Sequence, residues 1–443
     1  MRVRSASYVT TIGLALAASV GPLGAQQSTV SPVASLDSAW ASISRAYYDT
    51  ALVNGSWRTV FDSLRREVAT ADDDAVRAAI RRLLLVPAQS HFALIPAGAV
   101  PLPNAPKGAG RPGTSGLDIR TIGDTLVIWR VEPGSAAARA GVRPGSRITR
   151  VDTIPADSIM ARLGMAFGRE ARQVRLLSAA YAKNRLSGSA GDTVRFTLRA
   201  PRARRDTRVV LVLDALEGRS TQFGNLPPMI VRTVHDSVRV RTASGTRTIP
   251  LVGFSAWLPA VMQDVDAALF ASRGAPGLIL DLRGNPGGVV GMISGVSGHF
   301  ADSAVALGTM YGRGATIITR ANPRLVDRGG QRVGVFEGPL AILVDEFTAS
   351  TSEFFAAGLQ AVGRARVFGQ RSAGQALPSL MQRLPNGDVL MHPIADHVDA
   401  AGRRVEGNGV EPDELTPLTL RDLIAGRDSA LEAARAWLAR TIP

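Results

Sequence analysis

The 443-residue chain contains no cysteine, so it has no disulfide and no lipid anchor on a cysteine. Lysine is nearly absent. Lys107 and Lys183 are the only two, so arginine carries the excess of 51 basic over 37 acidic residues. Past the first 25 residues no stretch approaches the ~18 unbroken apolar residues of a membrane span. There is no His-Glu-x-x-His pair, no phosphate loop ending in Gly-Lys-Ser/Thr, and no Gly-x-Ser-x-Gly elbow around residue 350. No metal or cofactor is therefore implied. The net charge of +14 is spread along the chain, with one dense cluster at Pro201–Arg208. That cluster reads as a solvated loop between strands. No nucleic-acid fold signature accompanies it, so no nucleic-acid partner is expected.

Two stretches carry the chemistry. Gly338 to Asp345 is an apolar run with Ile342 and Val344, read as a buried strand. Thr348-Ala349-Ser350-Thr351-Ser352 follows, small and hydroxylated. From Glu353 on, Phe354, Phe355, Leu359 and Val362 recur at helical spacing. Such a strand–turn–helix can expose a hydroxyl beside free backbone N–H groups, as a serine nucleophile requires. Taken alone, the segment also reads as Ser350 or Ser352 serving only as a helix N-cap. The second stretch is Leu278 to Leu282, another buried strand, which runs into Arg283-Gly284-Asn285-Pro286-Gly287-Gly288. A glycine-rich turn lets backbone approach a reacting group closely. Ligands of open α/β sheets lie outside the carboxyl ends of strands. Two such ends, one offering hydroxyls and one offering amides, suit acyl transfer.

DLRGNPGG followed by TASTSEFFAAGLQ resembles the tail-specific, or C-terminal processing, serine protease family. The resemblance implies a multi-domain α/β protein with a catalytic core of the ClpP/crotonase-like type. It makes Ser350 the nucleophile, with the Gly287 and Thr351 amides as the oxyanion hole. Common members use a Ser–Lys dyad, but here the lysine position falls on Gln375, and both lysines are far upstream. Arginine stays protonated and cannot replace it. Another base is needed. Ser90-His91 resembles the Ser–His pair of the tricorn-like branch, which uses a Ser–His–Ser–Glu tetrad. Glu406-Gly407-Asn408-Gly409-Val410-Glu411-Pro412-Asp413 resembles its glutamate segment. The implied set is Ser350, His91, Ser90 and Glu406, with His91 titrating at its ordinary value of about 6.5. His299, His235, His392 and His397 read as structural, the last two being fallback bases.

In chain order, residues 1–25 read as a signal peptide. Arg2 and Arg4 precede an apolar run, and Gly24-Ala25 offers a cleavage site, so the location is periplasmic or extracellular. Residues 26–95 read as an N-terminal helical domain of three helices delivering Ser90-His91 on a loop. Residues 95–115, rich in proline, glycine and alanine, read as a linker. Residues 113–214 resemble a PDZ domain. Gly116, Leu117, Asp118 and Ile119 stand at the peptide-carboxylate loop, with Asp118 where an uncharged residue is usual. Val194 to Leu198 is the expected closing strand. Residues 225–425 read as the catalytic core and 426–443 as a C-terminal helix.

Two functions remain open at this level. One is an exported serine endopeptidase acting near the C-terminal ends of proteins or peptides. The other is a catalytically silent PDZ scaffold that binds exported protein tails, an idea motivated by Gln375. Oligomeric state is not readable.

Overall fold

The computed structural model of the chain describes residues 31–97, 111–167, 171–222, 224, 229–327 and 329–443. The signal peptide expected over 1–25, and Lys107, lie outside them. The chain divides into two compact units: Ile95–Gly218 with Leu418–Asp428, and a larger one holding the helices before Ile95 with Arg219–Pro417 and Ser429–Pro443.

The first unit is built on a mixed-length sheet ordered Leu117–Ile122, Thr125–Val131, Arg147–Val151, Thr193–Arg199, Thr207–Val212. Thr193–Arg199, expected to close this domain, is instead an interior strand. It pairs antiparallel with Thr207–Val212, and the arginine-rich cluster begins in the turn between them. The unit also holds the helices Ala156–Phe167 and Ala171–Arg185. Part of the expected linker is ordered as well. Pro112–Thr114 is a strand paired with Ser187–Ser189 and with Asp214–Ala215. Leu420–Ile424, placed in the catalytic core by the sequence, belongs here, where Leu423 packs on Val127 and Trp129.

The larger unit begins with four helices rather than three: α1 (Val33–Ala46), a short α2 (Thr50–Asn54), α3 (Ser56–Glu67) and α4 (Asp73–Leu84). Asp49 and Asp72 cap α2 and α4 by accepting from Leu52 N and Ala75 N. Their apolar stripes bury Leu36, Trp40, Ile43, Trp57, Phe61, Ile80 and Leu83 in one core, and the Trp57 indole donates to Leu83 O at 2.8 Å. The same core takes in Leu384 and Leu390, so the helices are packed into the larger unit and are not a separate domain. Those two residues flank the Asn386-Gly387 turn of a hairpin between Ser379–Arg383 and Val389–Pro393. The second hairpin strand also pairs with β1 (Ala93–Ile95).

The central sheet runs β2 (Thr233–Thr242), β3 (Gly245–Phe254), β4 (Leu278–Asp281), β5 (Leu340–Val344), β6 (Arg366–Gly369) and β7 (Glu414–Leu415). The β2–β3 pair is antiparallel and every later pair parallel. Both faces are covered. Leu278, Leu280, Leu340, Ile342 and Val344 face one core with Phe354 and Phe355. Ile279, Ala341, Leu343 and Phe368 face Ala434 and Leu438 of the terminal helix Ser429–Thr441. That is why both motif strands read as unbroken apolar runs. Asp281 pairs with Leu343, so β4 and β5 end side by side and their turns emerge as neighbours.

Asp388 at the hairpin is fully buried and accepts from Arg77 Nε of α4 at 2.8 Å and from Asn386 Nδ2 at 3.0 Å. Breaking a buried pair strands its partner, whereas an exposed pair is worth little. We expect Asp388→Ala to cost roughly 3 kcal/mol in urea unfolding. Asp62→Ala, which removes the exposed partner of Arg58, should cost under ~1 kcal/mol.

Candidate active site

The β4 and β5 turns are locked together by backbone and small polar groups. Gly284 N donates to Asp345 Oδ1 at 2.8 Å, Thr348 Oγ1 to Leu282 O at 2.9 Å, and Ala349 N to Asn285 O at 3.0 Å. Asn285 is buried, and its Nδ2 donates to Phe254 O at 2.8 Å. Ser350 then stands at the N-cap of the helix Thr351–Ala361 with φ 55° and ψ −122°. Positive φ is costly for a non-glycine residue and persists only where the surroundings over-determine it. Here Ser350 N donates both to Gln375 O (2.8 Å) and to a Glu353 carboxylate oxygen (3.0 Å). Glu353 is fully buried and also accepts from Ser372 Oγ (2.5 Å), Gly374 N (2.7 Å) and Gln375 N (2.9 Å). Burial pushes its pKa up to about 7, against four donors that pull it down. Sequence reading did not single out Glu353 or Asn285. The Ser-x-x-Glu spacing of a capping box is the signal that could have found the former.

Ser90 and His91 follow α4 on a loop, and His91 too has a positive φ, 62°. Its Nε2 lies 3.3 Å from Ser350 Oγ, and its Nδ1 lies 2.7 Å from Ser90 Oγ. Ser90 Oγ donates to Glu406 Oε2 at 2.8 Å. Glu406 Oε1 accepts from Ser90 N at 2.8 Å, and Oε2 also accepts from Ala376 N at 2.7 Å. A hydroxyl has a single proton, and Ser90 gives its proton to the carboxylate. The Ser90 oxygen therefore accepts from His91 Nδ1–H, which leaves the Nε2 lone pair facing Ser350. The four residues form one hydrogen-bonded row.

The electrostatics correct one expectation. His91 is buried, and desolvation lowers its pKa to about 4 instead of the ordinary value. Burial also raises the pKa of Glu406, opposed by its amide and hydroxyl donors and by nearby Arg404. Imidazole and carboxylate are thus both buried, the first neutral at neutral pH.

The remaining predicted residues are placed as follows. Gly287 N donates to Asn285 Oδ1 at 3.0 Å, so that amide is already engaged, contrary to its expected role as an oxyanion donor. Thr351 opens the helix, where first-turn amides have no intrahelical partner. Its Oγ1 donates to Gly288 O at 2.8 Å. Gln375 holds the site by its backbone, as above. His299 contacts Asp266 and His392 contacts Ser42, neither near Ser350 in the bonding pattern; His397 stacks on Phe354. His235 lies in β2. Among the described residues no cluster of His, Cys, Asp and Glu could hold a metal ion. Gly116, Leu117, Asp118 and Ile119 lie in the first unit. There Gly116 has φ 76°, Ile119 is buried, and Asp118 pairs with Arg120 (2.7 Å) and Lys183 (3.4 Å). Burial opposes ionisation of Asp118, but the two cations hold its carboxyl well below the usual range.

A hydroxyl on a strained turn, an aligned imidazole and a two-turn frame at parallel strand ends define a peptidase core of the serine type. Residues 249–416 match the model of peptidase family S41. It is 23% identical over 382 residues to a carboxyl-terminal-processing protease of Picosynechococcus sp., covering 86% of this chain and 82% of that one. It is 25% identical over 423 residues to a chloroplastic C-terminal processing peptidase of Tetradesmus obliquus, covering 88% and 80%. The fold is similar to that of a solved photosystem II D1 C-terminal processing protease. The TM-score is 0.58 at 21% identity, over 94% of this chain and 100% of the other.

At Gly287, φ is 95°, and an added Cβ would lie 2.6 Å from Ser350 Cβ and 2.8 Å from both Ala349 O and Thr351 N. Rigid backbone cannot yield as a flexible side chain would. Gly287→Ala should therefore push the two turns apart, with covalent labelling of Ser350 by a fluorophosphonate falling by ~100-fold or more. Parent-like labelling would show that the turns are not coupled.

Proposed function

We propose that the chain is an exported serine endopeptidase of the C-terminal processing type, with a tricorn-like catalytic set. Ser350 Oγ attacks the peptide carbonyl as His91 Nε2 takes its proton. The same nitrogen then returns the proton to the leaving amine. Ser90 accepts from Nδ1–H and relays the charge of Glu406, stabilising the imidazolium formed in the transition state. The Thr351 amide receives the oxyanion, and the Gly288 amide is the second donor that the β4 turn can offer in place of Gly287. The first unit is a PDZ-like module whose edge strand Leu117–Ile122 would take up a protein or peptide C-terminus. The leader over residues 1–25 directs export, and recovery of a mature chain starting at Gln26 in an exported fraction checks this.

The observation that carries the reading is the row from Ser350 through His91 and Ser90 to Glu406, which supplies the base that Gln375 cannot. Fluorophosphonate labelling tests it. Ser350→Ala should abolish labelling, and His91→Ala should slow it ~100-fold or more. Full labelling of His91→Ala would remove the base assignment. The pH profile is a second check. Only neutral His91 accepts a proton, and its neutral form persists above a pKa of about 4. The rate should hold as pH drops through 6 and fall on acidification toward 4. A descending limb centred near the ordinary histidine value would contradict the burial.

A further inference from the structure

Directly before the Ser90-His91 pair, the side chain of Gln89 is held by two phenols. Tyr47 OH donates to Gln89 Oε1 at 2.7 Å, and Tyr48 OH donates to the same oxygen at 2.9 Å. The two rings lie against one another at 4.7 Å. Tyr47 is fully buried, edge-on to Trp57 at 5.2 Å and tilted against Phe92 at 5.7 Å. Phe92 is in turn edge-on to Trp57 at 5.6 Å. Desolvation holds both phenols above their usual pKa, so both hydroxyls keep their protons and donate. The residue on each side of Ser90-His91 is therefore fixed to one aromatic cluster of the helical bundle, Gln89 by hydrogen bonds and Phe92 by packing.

The arrangement is more than a core needs. Two neighbouring hydroxyls converge on one acceptor, and that acceptor belongs to a loop whose next residues include a strained one, His91 at φ 62°. A left-handed residue relaxes unless the chain is pinned before and after it. At the Glu406 end of the row, Arg404 plays a matching part. Its Nε is 2.7 Å from Asp396 Oδ2 and its Nη1 donates to Glu406 O at 3.2 Å, fixing the glutamate's backbone. The gap from Nε2 to Ser350 Oγ is already 3.3 Å, so further drift of the imidazole would lengthen the proton-transfer path directly.

We infer that Tyr47 and Tyr48 are positioning residues for catalysis, acting through Gln89 to hold the His91 imidazole on Ser350. The inference rests on the serine–histidine reading above. Both hydroxyls are engaged on Gln89 and neither is bonded to Ser350 or His91, so their removal should slow chemistry and leave substrate binding alone. Replacing both by phenylalanine keeps the rings and their packing while deleting both donors.

The test uses the full chain and a fluorophosphonate, measuring the maximal inactivation rate kinact and the binding constant KI separately, with thermal melting alongside. For Y47F/Y48F we expect kinact to fall by ~10-fold or more with KI within about twofold and the protein still folded at assay temperature. Each single phenylalanine variant keeps one donor and should fall in between. The inference is overturned if the double variant keeps kinact within about twofold of the parent. It is also overturned if KI rises in step with the loss, or if the loss only follows the unfolded fraction. Should the double variant not fold, a folded single variant with unchanged kinact overturns it equally. Labelling that survives Ser350→Ala would instead sink the peptidase reading on which the clamp depends.

Discussion

The site depends on one buried carboxylate. Glu406 sits out of water yet accepts from Ser90 N, Ser90 Oγ and Ala376 N. A buried charge is tolerable only where donors replace the water it has lost. Each of those donors is thereby fixed in place: the loop that carries the imidazole, the hydroxyl beside it, and the segment that follows Gln375. Glu353 repeats the device one layer deeper. Its four donors bind the Ser350 turn to the Ser372–Gln375 segment. Two carboxylates thus hold three pieces of chain that share no sequence neighbourhood.

Two strained residues face each other in the row. Ser350 and His91 are two of the five non-glycine residues with positive φ among the described residues. Each such conformation costs about 1–3 kcal/mol and is kept by the surrounding bonds. Gly287 shows the complementary demand, since its missing side chain leaves the space in which the two turns meet. Parallel pairing of β4 and β5 makes this possible, because only adjacent parallel strands end at the same level with both turns on one side.

Much of this frame was legible in the sequence. The motif strands were readable because burial on both faces requires continuous apolar runs, and their turns because small residues and glycines punctuate them. Ser350, His91, Ser90 and Glu406 were named through the family resemblance, not through spacing. The lowered pKa of His91 was not legible, since desolvation depends on which residues pack over it. Glu353 and Asn285 were missed for a related reason: their roles reside in partners contributed by other turns. Pro112–Thr114 and its partner Ser187–Ser189 carry no periodicity, being too short and too poor in apolar residues to show one. Leu423 packs on Val127 and Trp129 although most of the larger unit's sequence lies between them, a pairing no local pattern announces.

The helical bundle has a temporal consequence. Its anchors lie near the other end of the chain: Arg77 on Asp388, Ser42 on His392, Ser90 on Glu406. Contacts so distant in sequence close late, after their loop entropy has been met. During synthesis the imidazole emerges first and the serine hydroxyl much later, and the carboxylate that orders them later still. A partly synthesised chain therefore holds the imidazole before it holds the hydroxyl or the carboxylate that completes the row. Under the proposed function, hydrolytic competence arrives only with completion of the fold.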